Sequence, residues 1–516
     1  MAMDRFPKVS RRAVLGLFGT GAVVATAGGV AASRGESEPA PVKAKPSGPV
    51  KQAANPAVSK VIADENARQG TEDWKHGKIG HASNDTDRQC QGYASTSTVT
   101  AGQTIDFFVT VNPVQRFTVS VYRLGYYGGK GARLLLKSPQ IDGITQDKPK
   151  IDPNPDARTV YCEWKKSWSL QIPKDWLSGA YLAVLTNEKG FQNYVSFTVA
   201  DHRKADFLCI LPFATYQAYN LYPMDGISGQ SVYYGYNASK KLDPDLKSTQ
   251  VSFARPNAGG GTTKLIDQEL MFIMWAEMQK YDVTYVSSFD LHEGRVDPTK
   301  YKVLVIPGHD EYWSQEMRNV LDKGKEKGVH IASFGANQCY WRVRLEPTTA
   351  SKDLRLSVYK EKPDPLAATR GAAKLWRDVE QPEQMLWGSC YGQMGYGVPT
   401  DHLPLVVRGA NHWMWSGAHV KDGDKLAGAV RGESDHQVTG MKLPPYTEMA
   451  VLSDSWFTNT GGLHDRQQTV LYRAPSGAWV FNAGTFGWAV YLGWDTEPAR
   501  KIQRVTGNLF AKMLQS

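Results

Sequence analysis

The residues best equipped for chemistry lie in Val303–Met317, VLVIPGHDEYWSQEM. There an apolar run stops at Pro307-Gly308 and delivers His309, Asp310 and Glu311 in succession. Such a triplet can be a metal site, an acid/base pair, or a charged turn that opens a helix. In extended backbone His309 and Glu311, two residues apart, point to the same side. Asp310 then faces away and holds the loop, Ser314 is the expected helix cap, and Met317 starts the buried face. Two tyrosine-rich stretches come earlier: ATYQAYNLYP, with Tyr216, Tyr219, Asn220 and Tyr222, and GQSVYYGYN, with Tyr233, Tyr234 and Tyr236. Tyrosine crowding alone also fits an aromatic core or a ligand-stacking surface.

A third stretch, SFGANQCYWR, turns a strand end into Gly335-Ala336-Asn337-Gln338-Cys339. Many α/β hydrolases and amidotransferase-like folds hold a Ser or Cys nucleophile at that corner within G-x-[SC]-x-G. Here the flanking glycines are missing, so a thiol enzyme would need Cys339 or Cys390 beside a histidine such as His309. His412, Glu433, Asp435, Glu448, His464 and Thr485 suit ordinary loop hydrogen bonding, and Glu448 and His412 are kept as additional candidates. Phosphate-loop, dinucleotide, H-E-x-x-H and EF-hand patterns do not occur.

These strand ends need a scaffold, and the sequence changes character where it must supply one. From about 90 to 200, short alternating runs such as TIDFFVTV, FTVSVYRLGYYG, AYLAVLTN and YVSFTVA follow one another without helical period. That pattern predicts an immunoglobulin-like β-sandwich over 86–200, with a hairpin at RLGYYGGKGARLL. From about 203, strands alternate with helical segments: ADFLCILP, then TKLIDQELMFIMWAEMQKY, YDVTYVSS, KVLVIPG, SQEMRNVLDKGKEKG and VHIASFG. This predicts a parallel sheet flanked by helices, a glutamine-amidotransferase-like α/β domain over 201–516 with an aromatic-rich insertion at about 345–470. His309-Asp310-Glu311 and Asn337 would both sit at carboxyl ends of its strands, where ligands gather in open α/β sheets.

The chain has 516 residues, 41% hydrophobic and 22% charged, a globular composition long enough for two or more domains. Its net charge of +9 is spread along the chain, so nucleic acid is not an expected partner. Arg11-Arg12, a Gly/Ala-rich stretch and Ala31-Ala32-Ser33 have the layout of a twin-arginine export signal over 1–33. Residues 34–85 read as linker and extended segment. The expected location is periplasmic, cell-surface or extracellular, with the membrane met only in transit. Five cysteines leave at least one unpaired; no C-x-x-C pair forms a zinc ribbon, and Cys90 and Cys162 are equally suited to a disulfide or to buried thiols.

Together YRLGYYGGKGAR, TYQAYN, VLVIPGHDEYWSQEMR, GANQCYWRVR and HWMW resemble the large subunit of bacterial N,N-dimethylformamidase over about 90–510. The resemblance implies an amidohydrolase with mononuclear ferric iron, Fe(III), held by two tyrosinates and one carboxylate. Carried over residue by residue, it implies Glu311 as the carboxylate and Tyr219 and Tyr234 as the phenolates, with Tyr216 and Tyr233 as rivals. His309 and Asn337 match positions lining the iron pocket, His309 as proton carrier or orienting residue and Asn337 as hydrogen-bond partner of the carbonyl or oxyanion. Phenolate and carboxylate are hard oxygen donors suited to a trivalent ion. The candidate partners are a small amide, a second copy of the chain and, from the family, a small subunit. The export signal replaces the family's extra N-terminal domain, and the 385–420 region points to a different pocket. The competing expectation is a non-catalytic carbohydrate- or peptide-binding protein, in which the tyrosines and Glu311 would not converge.

Overall fold

The computed structural model describes residues 58–263, 265–347, 354–392, 398–399 and 403–515. The expected export signal and residues 34–57 of the expected linker therefore lie outside the described residues. The remainder of that linker is ordered. Helix α1 (Lys60–Asn66) follows Ser59, whose amide donates to the Lys280 carbonyl at 2.9 Å.

The first region is all β. Strands β1 (Gln91–Ala94), β2 (Thr104–Thr110), β3 (Arg116–Leu124), β4 (Ala132–Lys137), β5 (Trp168–Gln171), β6 (Gly179–Asn187) and β7 (Phe191–Ala200) divide between two sheets. One has the order β5-β2-β1; the other contains β7-β6-β3-β4. Strand β2 shows why they face each other: Ile105, Phe107 and Val109 alternate into a shared core while Thr104 and Asp106 turn outward. The predicted hairpin forms, with β3 and β4 antiparallel.

Strands β6 and β7 are buried on both faces, which a sandwich edge facing water would not be. Tyr181, Ala183 and Leu185 enter the sandwich core, whereas Ala180, Leu182 and Val184 enter the core of the following α/β region. The period of two thus splits one strand between two cores. The seam also carries a fully buried ion pair, Arg123 Nη2 to Glu277 Oε1 at 2.7 Å, with Tyr285 Oη donating to the same oxygen at 2.9 Å.

The α/β region opens with β8 (Ala205–Leu211) and α2 (Phe213–Tyr219), then α3 (Leu270–Met278), β9 (Val283–Ser287), β10 (Tyr301–Ile306), α4 (Gln315–Glu326) and β11 (His330–Ser333). It closes with β12 (Glu448–Thr458), β13 (His464–Arg473), β14 (Trp479–Asn482), α5 (Gly487–Leu492) and α6 (Glu497–Gln515). The seven-stranded sheet runs β9-β8-β10-β11-β14-β13-β12; β9 through β14 are parallel, and β13 and β12 are antiparallel additions. The expected insertion over about 345–470 is therefore narrower, because 448–473 extends the main sheet. Between β11 and β12, the described strands form separate two- and three-stranded sheets or bridges.

Ser314 caps α4, accepting from the Met317 amide at 3.3 Å, and Met317 is buried, as the sequence predicts. All five cysteines are buried free thiols, so Cys90 and Cys162 are not bridged.

Candidate functional site

Three adjacent parallel strands, β8, β10 and β11, deliver the site from their carboxyl ends. Beyond β10 the chain passes Pro307-Gly308 and is pinned residue by residue. The Asp310 amide donates to Gln338 Oε1 at 2.7 Å, and Gln338 Nε2 donates to the Gly308 carbonyl at 2.6 Å. Thr215 on α2 donates to Asp310 Oδ1 at 2.9 Å and accepts from the Glu311 amide at 3.0 Å. Asp310 thus turns away from Glu311 and fastens the loop to α2; burial pushes its carboxyl up to about 7.

Glu311 meets two phenols. Tyr219, the last residue of α2, donates to Oε2 at 2.5 Å; Tyr233 lies 2.8 Å from each carboxylate oxygen, and the two phenol oxygens are 3.0 Å apart. Tyr312 donates to the Tyr233 oxygen at 2.7 Å. His309 completes the group: its Nε2 is 3.2 Å from both the Tyr219 oxygen and Glu311 Oε2, and its Nδ1 is 2.9 Å from the Ala336 carbonyl. A carbonyl can only accept, so Nδ1 carries the proton and Nε2 is left to receive one.

Burial favours a neutral Glu311, but a His309 ring protonated at Nε2 as well, the Lys360 ammonium and the Tyr219 hydroxyl outweigh it and hold the carboxyl at about 2. Burial, reinforced by the Glu311 charge, pushes the phenols of Tyr219 and Tyr233 well above the usual range. Lys360 stands 3.4 Å from the Tyr233 ring centroid and 4.9 Å from that of Trp341; desolvation, partly offset by Glu311, pulls its amine down to about 7.

The other sequence candidates separate clearly. Tyr234, next in the chain, has no contact with Glu311: its amide donates to Ser231 Oγ at 3.1 Å, and its ring centroid is 6.4 Å from that of Tyr233. Of the two, it is Tyr233, the rival in the sequence reading, whose hydroxyl meets Glu311, while the Tyr234 hydroxyl makes no hydrogen bond among the described residues. Tyr216, one helical turn before Tyr219, turns into the interior beside Glu269. Asn337 is buried and follows Ala336, whose carbonyl meets His309; its amide donates to Asp435 Oδ1 at 2.8 Å, and its Oδ1 has no partner among the described residues. Glu448 is displaced from the site: it opens the edge strand β12 at an exposed position opposite Arg473. His412 caps a short turn, accepting from the Met414 amide at 3.3 Å.

Two residues escaped the sequence reading as site members. Glu433, in RGESDH, brings Oε2 to 3.7 Å from His309 Nε2. Lys360 follows a strand far along the chain, and no local pattern marks it. The thiol reading loses its partner, since Cys339 is 3.6 Å from Arg318 Nη1 and Cys390 contacts Gln384 and Met441.

Among the described residues no three His, Cys, Asp or Glu side chains are grouped to hold a metal, so an ion here needs the phenols. The donor set fits one: three acidic oxygens converge at 2.5–3.0 Å from one another. That spacing is close to the roughly 2.8 Å separating neighbouring oxygens that each sit about 2.0 Å from one small hard cation.

A solved structure, the Paenibacillus sp. cycloisomaltooligosaccharide glucanotransferase complexed with cycloisomaltoheptaose, is similar at 10% identity with a TM-score of 0.16. The match covers 54% of this chain and 34% of that one, and at this level it carries no argument. No curated protein matches the chain. The sequence profile described as N,N-dimethylformamidase beta subunit-like, C-terminal, matches residues 118–502, which contain the whole cluster around Glu311. The chain belongs to the N,N-dimethylformamidase beta subunit-like family.

Proposed function

We propose that the chain is an amide C–N hydrolase that cleaves a small amide into a carboxylic acid and an amine, using a mononuclear ferric ion held by Tyr219, Tyr233 and Glu311. The observation that carries this reading is the convergence of those three oxygens beside His309 Nε2. A binding module would have no need to bring them together. Bound there, the ion would supply Lewis acidity toward an amide carbonyl and toward water.

The chain's own groups account for the protons. His309 is fixed by the Ala336 carbonyl so that Nε2 can take a proton from attacking water and return it to the departing nitrogen. Glu433, 3.7 Å away, steadies the ring while it is cationic. Asn337 is anchored through its backbone to Asp435 and keeps its amide terminus for substrate. An amide terminus can offer a donor to a carbonyl oxygen or an acceptor to an N–H, so it can orient the scissile group in either sense.

The two facing sheets with a shared core support an immunoglobulin-like reading of the first region. The strand-end site on parallel β8, β10 and β11 supports an amidotransferase-like reading of the second. Export by the twin-arginine route is part of the proposal and rests on Arg11-Arg12 and the small residues that follow.

The test is elemental analysis and visible absorption of protein expressed with iron available. About one iron per chain and a phenolate-to-iron charge-transfer band are expected. Tyr233→Phe should lose both the band and most of the metal, while Tyr234→Phe keeps them. Colourless, metal-free wild type, or loss of the band only in Tyr234→Phe, would sink the assignment. A panel of small amides, scored by amine release, then identifies the substrate.

A further inference from the structure

His309 owes its orientation to a single peptide group. Its Nδ1 donates to the Ala336 carbonyl at 2.9 Å, and the N–H of that same peptide, the Asn337 amide, donates to Asp435 Oδ1 at 2.8 Å. The peptide is trans, hence planar and rigid, with its C=O and N–H pointing opposite ways. The Asp435 carboxylate therefore acts on the imidazole across one intervening peptide, through two hydrogen bonds in series. Hydrogen bonds in series polarise one another inside a protein.

This peptide needs a hold from outside its own turn. Asn337 is left-handed, with φ at 51°, and Cys339 repeats the conformation at 55°. Residues with a side chain disfavour that region, so the turn after β11 keeps its shape only where its surroundings fix it. Asp435 is the partner that the Asn337 amide finds.

The carboxylate is itself firmly placed. It is 1% exposed, its Oδ2 accepts from Asn482 Nδ2 at 2.8 Å, and its own amide donates to the Gly484 carbonyl at 3.1 Å. No basic side chain pairs with it among the described residues. Burial pushes its carboxyl up to about 7 despite the two hydrogen bonds it accepts, and the Glu433 and Glu383 charges add to the push. A buried carboxylate without a counter-charge is an unfavourable way merely to tie the end of β11 to the end of β14. Groups kept in such surroundings gather at functional sites.

We propose that Asp435 is a positioning residue for His309: by holding the peptide between Ala336 and Asn337, it fixes the rotation of the ring and keeps Nε2 turned toward Tyr219 and Glu311. Its effect on turnover rests on the hydrolase reading, whereas its hold on the peptide stands without it.

Hydrogen exchange of the full chain, read by mass spectrometry, tests the hold. In Asp435→Ala the 334–339 segment is expected to exchange about tenfold faster than in wild type, with strand β10 unchanged. Asp435→Asn keeps an acceptor for the Asn337 amide and should stay within about threefold of wild type. With the amide that wild type cleaves fastest, kcat should fall about tenfold in Asp435→Ala, at little change in KM and with iron content retained. Asp435→Asn should recover most of that loss. In a His309→Ala background, Asp435→Ala should remove less than about a further twofold, a saving that a merely structural role would not give. If Asp435→Ala does not fold, Asp435→Ser, whose short side chain leaves room for water, takes its place. Unchanged exchange at 334–339, unchanged kcat in an active enzyme, or an equal loss in the His309→Ala background overturns the assignment. Wild type that cleaves no amide sinks the hydrolase reading alone, and the exchange rates then decide the hold on the peptide.

Discussion

Adjacent side chains can have unrelated fates, and Tyr233 and Tyr234 show why residue-level reading stalls in loops. Helix and strand periods fix direction; a turn built on Ser231 has no period, so which tyrosine enters the cluster is set by local backbone hydrogen bonds. Glu311 was readable because it sits two residues past His309 on a strand end. Glu433 and Lys360 reach the site from distant segments and leave no local signal. Lys360 is open to a spectroscopic test that depends on the iron reading. A cation 3.4 Å from the Tyr233 ring centroid stabilises the phenolate's electrons. Lys360→Met is therefore expected to move the charge-transfer band to longer wavelength with the metal retained; an unmoved band would detach Lys360 from Tyr233. The His330 Nδ1 accepts from the Trp479 amide at 2.9 Å, and burial pulls the ring down to about 4. The unfolded chain takes this proton near the ordinary value of about 6.5, so stability is complete above that pH and is lost as pH falls toward 4. His330→Asn, which keeps an acceptor, should reduce acid sensitivity by up to about 3 kcal/mol between pH 7 and pH 4, measured by denaturant unfolding.

At the scale of elements the sequence spoke more clearly. The switch from short alternating strands to strand–helix alternation near 203 corresponds to the change from antiparallel sheets to the parallel order β9-β8-β10-β11-β14. Ser314 was legible as a cap because capping depends on one side chain and its nearest amides. The membership of β12 and β13 in the main sheet was not legible, since antiparallel additions are joined by long-range pairing that a local pattern does not encode. Helix α2 carries Tyr219 and, through Thr215, holds the loop bearing Glu311. Thr215→Val removes the bond to Asp310 Oδ1 and the acceptor for the Glu311 and Tyr312 amides. It should destabilise the fold by about 2–3 kcal/mol and loosen the site. Iron content is expected to fall together with the melting temperature, whereas unchanged metal loading would show that α2 does not position the carboxylate.

For the whole molecule, the telling element is the seam. Arg123 and Glu277 are both fully buried, and the pair joins β3 of the sandwich to α3 of the α/β region. Arg123→Met leaves Glu277 without its counter-charge and should destabilise the protein by about 3–5 kcal/mol. Wild type and variant should each unfold in a single calorimetric transition; two separated transitions would mean that the regions fold independently. The double use of β6 and β7 reaches beyond stability, to how this architecture can be rearranged. Since Ala180, Leu182 and Val184 help to make the second core, the sandwich is not a detachable cassette. Exchanging it for a relative's, or beginning a shortened chain at Ala205, would strip a wall from the α/β half, so any transplant has to carry both faces of that hairpin together.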